Sequence, residues 1–148
     1  MLKENKGVTL VALVITIIVL LILAGVTLAM VMGDSGIFGK ANKASVNTNT
    51  SSAESAVSLA VLEATTAQYD DATGDYTVAN AVTTANANEK VGAALKDYTL
   101  EAVSSKTNEA YVKKGDKYVV NEDGNKLKVT FTVDTTKHTV TPAYSYNS

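Results

Sequence analysis

The chain of 148 residues has no cysteine and no arginine, one proline, Pro142, and one histidine, His138. Without cysteine, no disulfide can support a life outside the cell. Without arginine, the planar fork that grips phosphate and carboxylate in two places is missing. The remaining charge is mixed, with a net −2 and a pI near 5.3, which argues against nucleic acid as a main partner because that binding rests on a basic surface. Catalytic signatures are absent as well. Serine is plentiful, yet no G-x-S-x-G elbow occurs. His138 sits between Lys137 and Thr139 in an expected strand, where a lone exposed histidine is more often a surface residue than a general base. Asp70, Asp71 and Asp75 lie in DDATGD, whose spacing does not match the alternating oxygens of an EF-hand, so a solvated loop is expected rather than a calcium site. These gaps point away from an enzyme, and they imply neither metal nor cofactor.

The longest gap is in charge and proline together. From Val8 to Met32 the chain reads VTLVALVITIIVLLILAGVTLAMVM, with sixteen Val, Ile or Leu residues. Such a run exceeds the roughly 20 apolar residues that carry an α-helix across a bilayer. Each Val, Ile or Leu favours insertion by about 0.3 to 0.6 kcal/mol at the helix centre, so the sixteen supply roughly 5 to 10 kcal/mol. Thr9, Thr16 and Thr27 subtract little, because a helical threonine can bond its hydroxyl back to its own backbone. Residues 1–7, MLKENKG, form a polar leader whose Lys3 and Lys6 hold it in the cytoplasm, so the chain after Met32 faces outward. The apolar core is too long for a secretory signal peptide. The expected cut lies on its cytoplasmic side, after Gly7.

Lys6-Gly7-Val8-Thr9-Leu10, opening a long uncharged helix, resembles the prepilin signature of type IV pilins and pseudopilins. The fuller stretch, through GDSGIFGKANKAS, is similar to pilin-like proteins of Gram-positive anaerobes and covers about the first third of the chain. The resemblance implies cleavage by a prepilin peptidase between Gly7 and Val8, N-methylation of Val8, and a filament core packed from Leu10, Leu13, Ile17, Leu20 and Leu21. An assembly ATPase and a platform protein are the further partners it implies. The family usually has Phe after the glycine and Glu at the fifth mature position, where this chain has Val8 and Ala12. A terminal amine without that carboxylate would be a buried unpaired charge costing several kcal/mol. A special place such as the tip, a different accommodation of the charge, or a retained leader would each meet the departure.

Residues 33–68 are expected to continue the helix in amphipathic form. Gly33, Gly36 and Gly39 make a flexible joint, Asp34 or Ser35 offers a fresh cap, and Ala53, Ala56, Leu59, Ala60 and Leu62 recur at helical spacing. Residues 69–148 form one outer domain. It opens on a turn-rich loop, YDDATGDY, and continues through a short helix over Asn80–Lys96 with Asn80 as cap. Alternation then sets in over YTLEAVS, AYVKK, KYVVN, KLKVTFTVD and HTVTPAYSY, separated by turns at Lys114-Gly115-Asp116, at 122–125 and at 134–137. An antiparallel meander follows, with Leu127, Val129, Phe131 and Val133 facing the long helix and Pro142 confining the last strand to an edge. The expected class is α+β, a long N-terminal helix against a C-terminal antiparallel sheet, as in pilins. Asn49-Thr50-Ser51 is a glycosylation sequon, read as a chance match, and Tyr144 and Tyr146 near the C-terminus are candidate ligand contacts.

The expected function is a structural subunit of an extracellular, self-assembled filament, resident in the cytoplasmic membrane with its N-terminus inside before assembly. The alternatives are a single-pass membrane-anchored binding module and a minor or tip pseudopilin.

Overall fold

A computed structural model describes residues 2–33 and 36–147, and side chains from residue 7 onward. The candidate caps Asp34 and Ser35 lie outside the described residues. The chain forms two compact units, Met1–Ala44 and Ser45–Ser148.

The first unit contains helix α1, Leu2–Met32, and the opening of helix α2, Ile37–Thr66. The leader is helical from Leu2 and runs without a break into the apolar run. At the end of α1 the Gly33 amide donates to the Ala29 carbonyl (3.2 Å) and the Gly36 amide to the Gly33 carbonyl (2.8 Å). A Cβ at Gly36 would collide with the carbonyl oxygens of Met30 and Val31, so only glycine fits where the two helices part.

The second unit is an α+β layer in which the rest of α2 packs on a five-stranded antiparallel sheet. Strands β1 (Thr99–Ala102), β2 (Glu109–Lys114), β4 (Lys126–Asp134) and β5 (Thr139–Asn147) lie in the order β1-β2-β4-β5, and β3 (Lys117–Tyr118) pairs with β2. As the alternation predicts, Leu127, Val129 and Phe131 are buried and Val133 half-buried. β5, with Pro142 opposite Phe131, is an edge strand. The core joins these residues to Ala53, Val57, Ala60, Val61 and Ala64 of α2, and to Val91 and Val112.

Three expectations need correction. The buried stripe of α2 runs through the small residues just named, whereas Leu59 and Leu62 point outward, 65% and 62% exposed. Small side chains let the helix axis approach the sheet, and the leucines fall on the opposite side of the helix. KYVVN is a strand only at Lys117–Tyr118, and the sheet is no simple meander. The Val119 amide donates to Val112 (2.9 Å) while its carbonyl accepts from Leu127 (2.8 Å), so this segment wedges between β2 and β4. The short helix, α3, begins at Ala87 and ends at Ala94, while Asn80 closes a 3-10 turn over Val78–Asn80. Asn86 delays the helix: its side chain accepts from the Thr83 amide (2.7 Å) and donates to the Ala81 carbonyl (3.0 Å), tying up the loop ahead of it.

Candidate functional site

Helix α1 presents the candidate assembly surface. Leu10, Leu13, Ile17, Leu20 and Leu21 follow the spacing i, i+3, i+7, i+10, i+11, which at about 100° per residue brings them onto one stripe. All five are exposed. The rest of the circumference is no more polar, since Val11, Val14, Ile15, Ile18, Val19, Ile22, Leu23, Val26 and Leu28 are exposed as well. Thr16 and Thr27 bond their hydroxyls back to the helix backbone, as anticipated. Thr16 Oγ1 donates to the Ala12 carbonyl (2.7 Å), and Thr27 Oγ1 lies 2.9 Å from the Leu23 carbonyl and 3.0 Å from that of Ala24. From Val8 to Met32 there are 25 residues, about 37 Å of helix at 1.5 Å per residue, against a hydrocarbon core of roughly 30 Å. The helix is therefore long and apolar enough to cross a membrane.

Gly7 and Val8 sit within α1, about one turn before Leu10. Val8 is exposed and a Cβ at Gly7 would meet nothing within 4 Å, so no packed element crowds these two positions, and the peptide bond between them is part of the helix. Ala12 lies on the side of the helix away from the stripe; its side chain offers no polar atom, and its carbonyl oxygen accepts from the Thr16 hydroxyl.

The second unit brings together a set of residues that the sequence reading did not assemble. On the face of the sheet turned away from α2, Tyr111 and Tyr118 meet edge to face, with centroids 5.8 Å apart at 81°. Lys126 Nζ stands 4.0 Å from the Tyr118 centroid and 5.4 Å from that of Tyr111, and Lys113 Nζ lies 5.1 Å from Tyr118. Glu101 holds the group from β1, accepting from the Tyr118 hydroxyl (2.7 Å) and from Lys113 (3.1 Å). Those two bonds, the tyrosine's first, lower the pKa of the Glu101 carboxyl, and the bond to Glu101 raises that of the Tyr118 phenol. The signal was present in the alternation: the buried positions of β4 interleave with Lys126 and Lys128, which must face outward together.

Other singled-out residues serve the fold. His138 is in the β4–β5 turn rather than a strand, with φ +56°, stacked on Tyr76 at 3.6 Å. Asp70 turns its carboxylate to the amides of Ala72 (2.8 Å) and Thr73 (3.0 Å), which lower its pKa. Among the described residues no three His, Asp or Glu side chains converge as a metal site. Tyr144 and Tyr146, candidate ligand contacts, are bound instead to α2: the Tyr144 hydroxyl donates to the Glu54 carbonyl (2.8 Å) and that of Tyr146 to Glu54 Oε1 (2.7 Å).

No protein-family model, no curated protein and no solved structure matches this chain.

Proposed function

We propose that the chain is a structural subunit of an extracellular type IV pilus-like filament, built by packing α1 of one copy against α1 of others. One observation carries this: α1 is apolar and exposed around its whole circumference, with no ionisable group from Val8 to Met32. In water such a surface is unfavourable by roughly 25 cal/mol per Å² of apolar area. The helix can leave a bilayer only if something equally apolar replaces the lipid, and identical helices do so on every side. A single heterologous contact, repeated without closing into a ring, then yields a filament.

On this reading the subunit is not an enzyme and takes no cofactor. Before assembly it spans the cytoplasmic membrane with residues 1–7 inside. A prepilin peptidase cuts between Gly7 and Val8 and methylates Val8, and an ATPase and a platform protein drive extrusion. Leu10, Leu13, Ile17, Leu20 and Leu21 form the core seam. A second reading, a permanent single-pass anchor carrying a surface binding module, is favoured by one observation, Ala12 in the place of the carboxylate that would neutralise a freed amine.

Mass spectrometry of the N-terminal peptide, taken from surface material sheared without detergent, separates the readings. Methylated Val8 at the start of the chain is the expected result. Met1 at the start would mean a filament built with its leader intact, and recovery from membranes alone would replace the filament with the anchored module.

A further inference from the structure

The two faces of the second unit carry opposite charge. Outside α2 lies a groove lined by Leu59, Leu62, Glu63, Tyr69, Asp70 and Asp71, with three carboxylates and no ammonium group among its lining residues. Its apolar floor is the pair of leucines left exposed by the tight approach of α2 to the sheet. Across the core, on the outer face of the sheet, Tyr111 and Tyr118 are framed by Lys113, Lys126 and Lys128. Among the described residues, the ion pairs of this face join Glu101 to Lys113 and Glu109 to Lys106; Lys126 and Lys128 also feel those two carboxylates, and four ammonium groups against two carboxylates leave the cluster positive.

We propose that the acidic, leucine-floored groove of one copy receives the lysine–tyrosine face of a second copy of this chain. This deepens the filament reading by naming a contact between outer units, beyond the packing of α1. Like faces repel on balance, because two grooves would oppose carboxylate to carboxylate and two sheet faces one net positive cluster to another. Only unlike faces attract. The contact is therefore heterologous, and since the two faces look in opposite directions across one α/β layer, each docked copy leaves a groove free at one end and a lysine–tyrosine face at the other. Tyr111 and Tyr118 suit the role: aromatic residues are enriched in interface cores. Their geometry is set before docking by Glu101, Lys113 and Lys126, which lowers the ordering cost. The ring faces are already occupied by ammonium groups, which favours a partner presenting carboxylates over one that stacks.

Since the chain has no cysteine, introduced thiols report this contact alone. Full-length chains carrying Leu62→Cys or Thr130→Cys, the latter beside Lys128 on the same face of β4, are treated on cells with a bis-maleimide, and sheared and membrane fractions are run under denaturing conditions. Either single variant alone stays monomeric, the two co-expressed give a dimer, and the double variant gives a ladder. A ladder in sheared filaments upholds both this docking and the filament reading. A ladder confined to membranes upholds the docking and overturns the filament. Sheared filaments without a ladder overturn the docking alone, and monomers recovered from membranes only overturn both. Dimers from either single variant would also overturn it, since like faces would then be meeting. As a second measurement, Lys126→Glu with Lys128→Glu removes the cross-link, and adding Glu63→Lys with Asp71→Lys restores it. Retention of the cross-link after the first pair of changes counts against the proposal.

Discussion

At Gln68, 1% exposed, one side chain joins three segments. Its amide nitrogen donates to the carbonyls of Thr65 and His138 (3.0 Å each), and its oxygen accepts from the Val82 amide (3.0 Å). The end of α2, the loop before α3 and the β4–β5 turn thus share one buried amide. Gln68→Ala leaves a buried donor and acceptors unmatched, at about 1 to 3 kcal/mol per unsatisfied group. The Val82 amide then exchanges its proton markedly faster, which hydrogen-exchange mass spectrometry of the full chain in detergent can measure; unchanged exchange would mean that Gln68 is not the fastener. Tyr144 and Tyr146 give a second test at this scale. Burial, first, pushes both phenols above the ordinary value of 10.0, with Glu54 adding to the rise at each. The folded chain therefore holds these protons more tightly than the unfolded chain does. Their contribution is complete below pH 10 and is lost as pH rises through the folded pKa values. An unfolding series in alkali is expected to fall steeply in the native chain and less so in Tyr144→Phe/Tyr146→Phe. Parallel pH profiles would refute the linkage.

Elements were legible where the local pattern and the tertiary demand agree. β4 is the clearest case: period-two alternation over Lys126–Asp134 names both its faces. α1 is equally plain, since over a single apolar run of that length a helix satisfies every backbone polar group within the segment itself. The inner face of α2 was not legible, because hydrophobicity favours Leu59 and Leu62 while closeness to the sheet selects Ala53, Ala60 and Ala64. β3 and α3 were misjudged for a different reason. The limit of β3 is set by long-range bonds from Val119 to Val112 and Leu127 that no local window contains, and the start of α3 by the two bonds of the Asn86 side chain, which sequence pattern alone does not assign. The lysine–tyrosine face combines three strands, so its parts were visible and its assembly was not. For α1 itself, Leu13→Lys separates two roles. A lysine at the helix centre opposes insertion by about 2.5 to 3.5 kcal/mol, less than the run as a whole supplies. The variant is expected to remain in carbonate-washed membranes and to vanish from sheared filaments, where the charge would face apolar neighbours. Normal filament yield would exclude Leu13 from the seam.

For the whole molecule, the two units answer to different surroundings. Every residue of the buried core lies between Ala53 and Phe131, inside Ser45–Ser148, whereas the large exposed aliphatics concentrate in Met1–Ala44. A chain starting at Ser45 retains that core and exceeds the roughly 55 to 65 residues at which domains commonly fold alone. It is expected to be recovered from water in folded form without detergent, with a cooperative thermal transition. A molten or aggregated product would show that the first unit contributes to folding. One consequence follows from the back-bonded hydroxyls of Thr16 and Thr27. With these two hydroxyls bonded to its own backbone, α1 offers no donor from them to a neighbour, and in the proposed filament a slip of one turn, about 5.4 Å along the axis, would break no bond they make between copies. Bundled shafts of this kind would yield lengthwise under a pull and slide back afterwards, so that tension lengthens the assembly before it severs it.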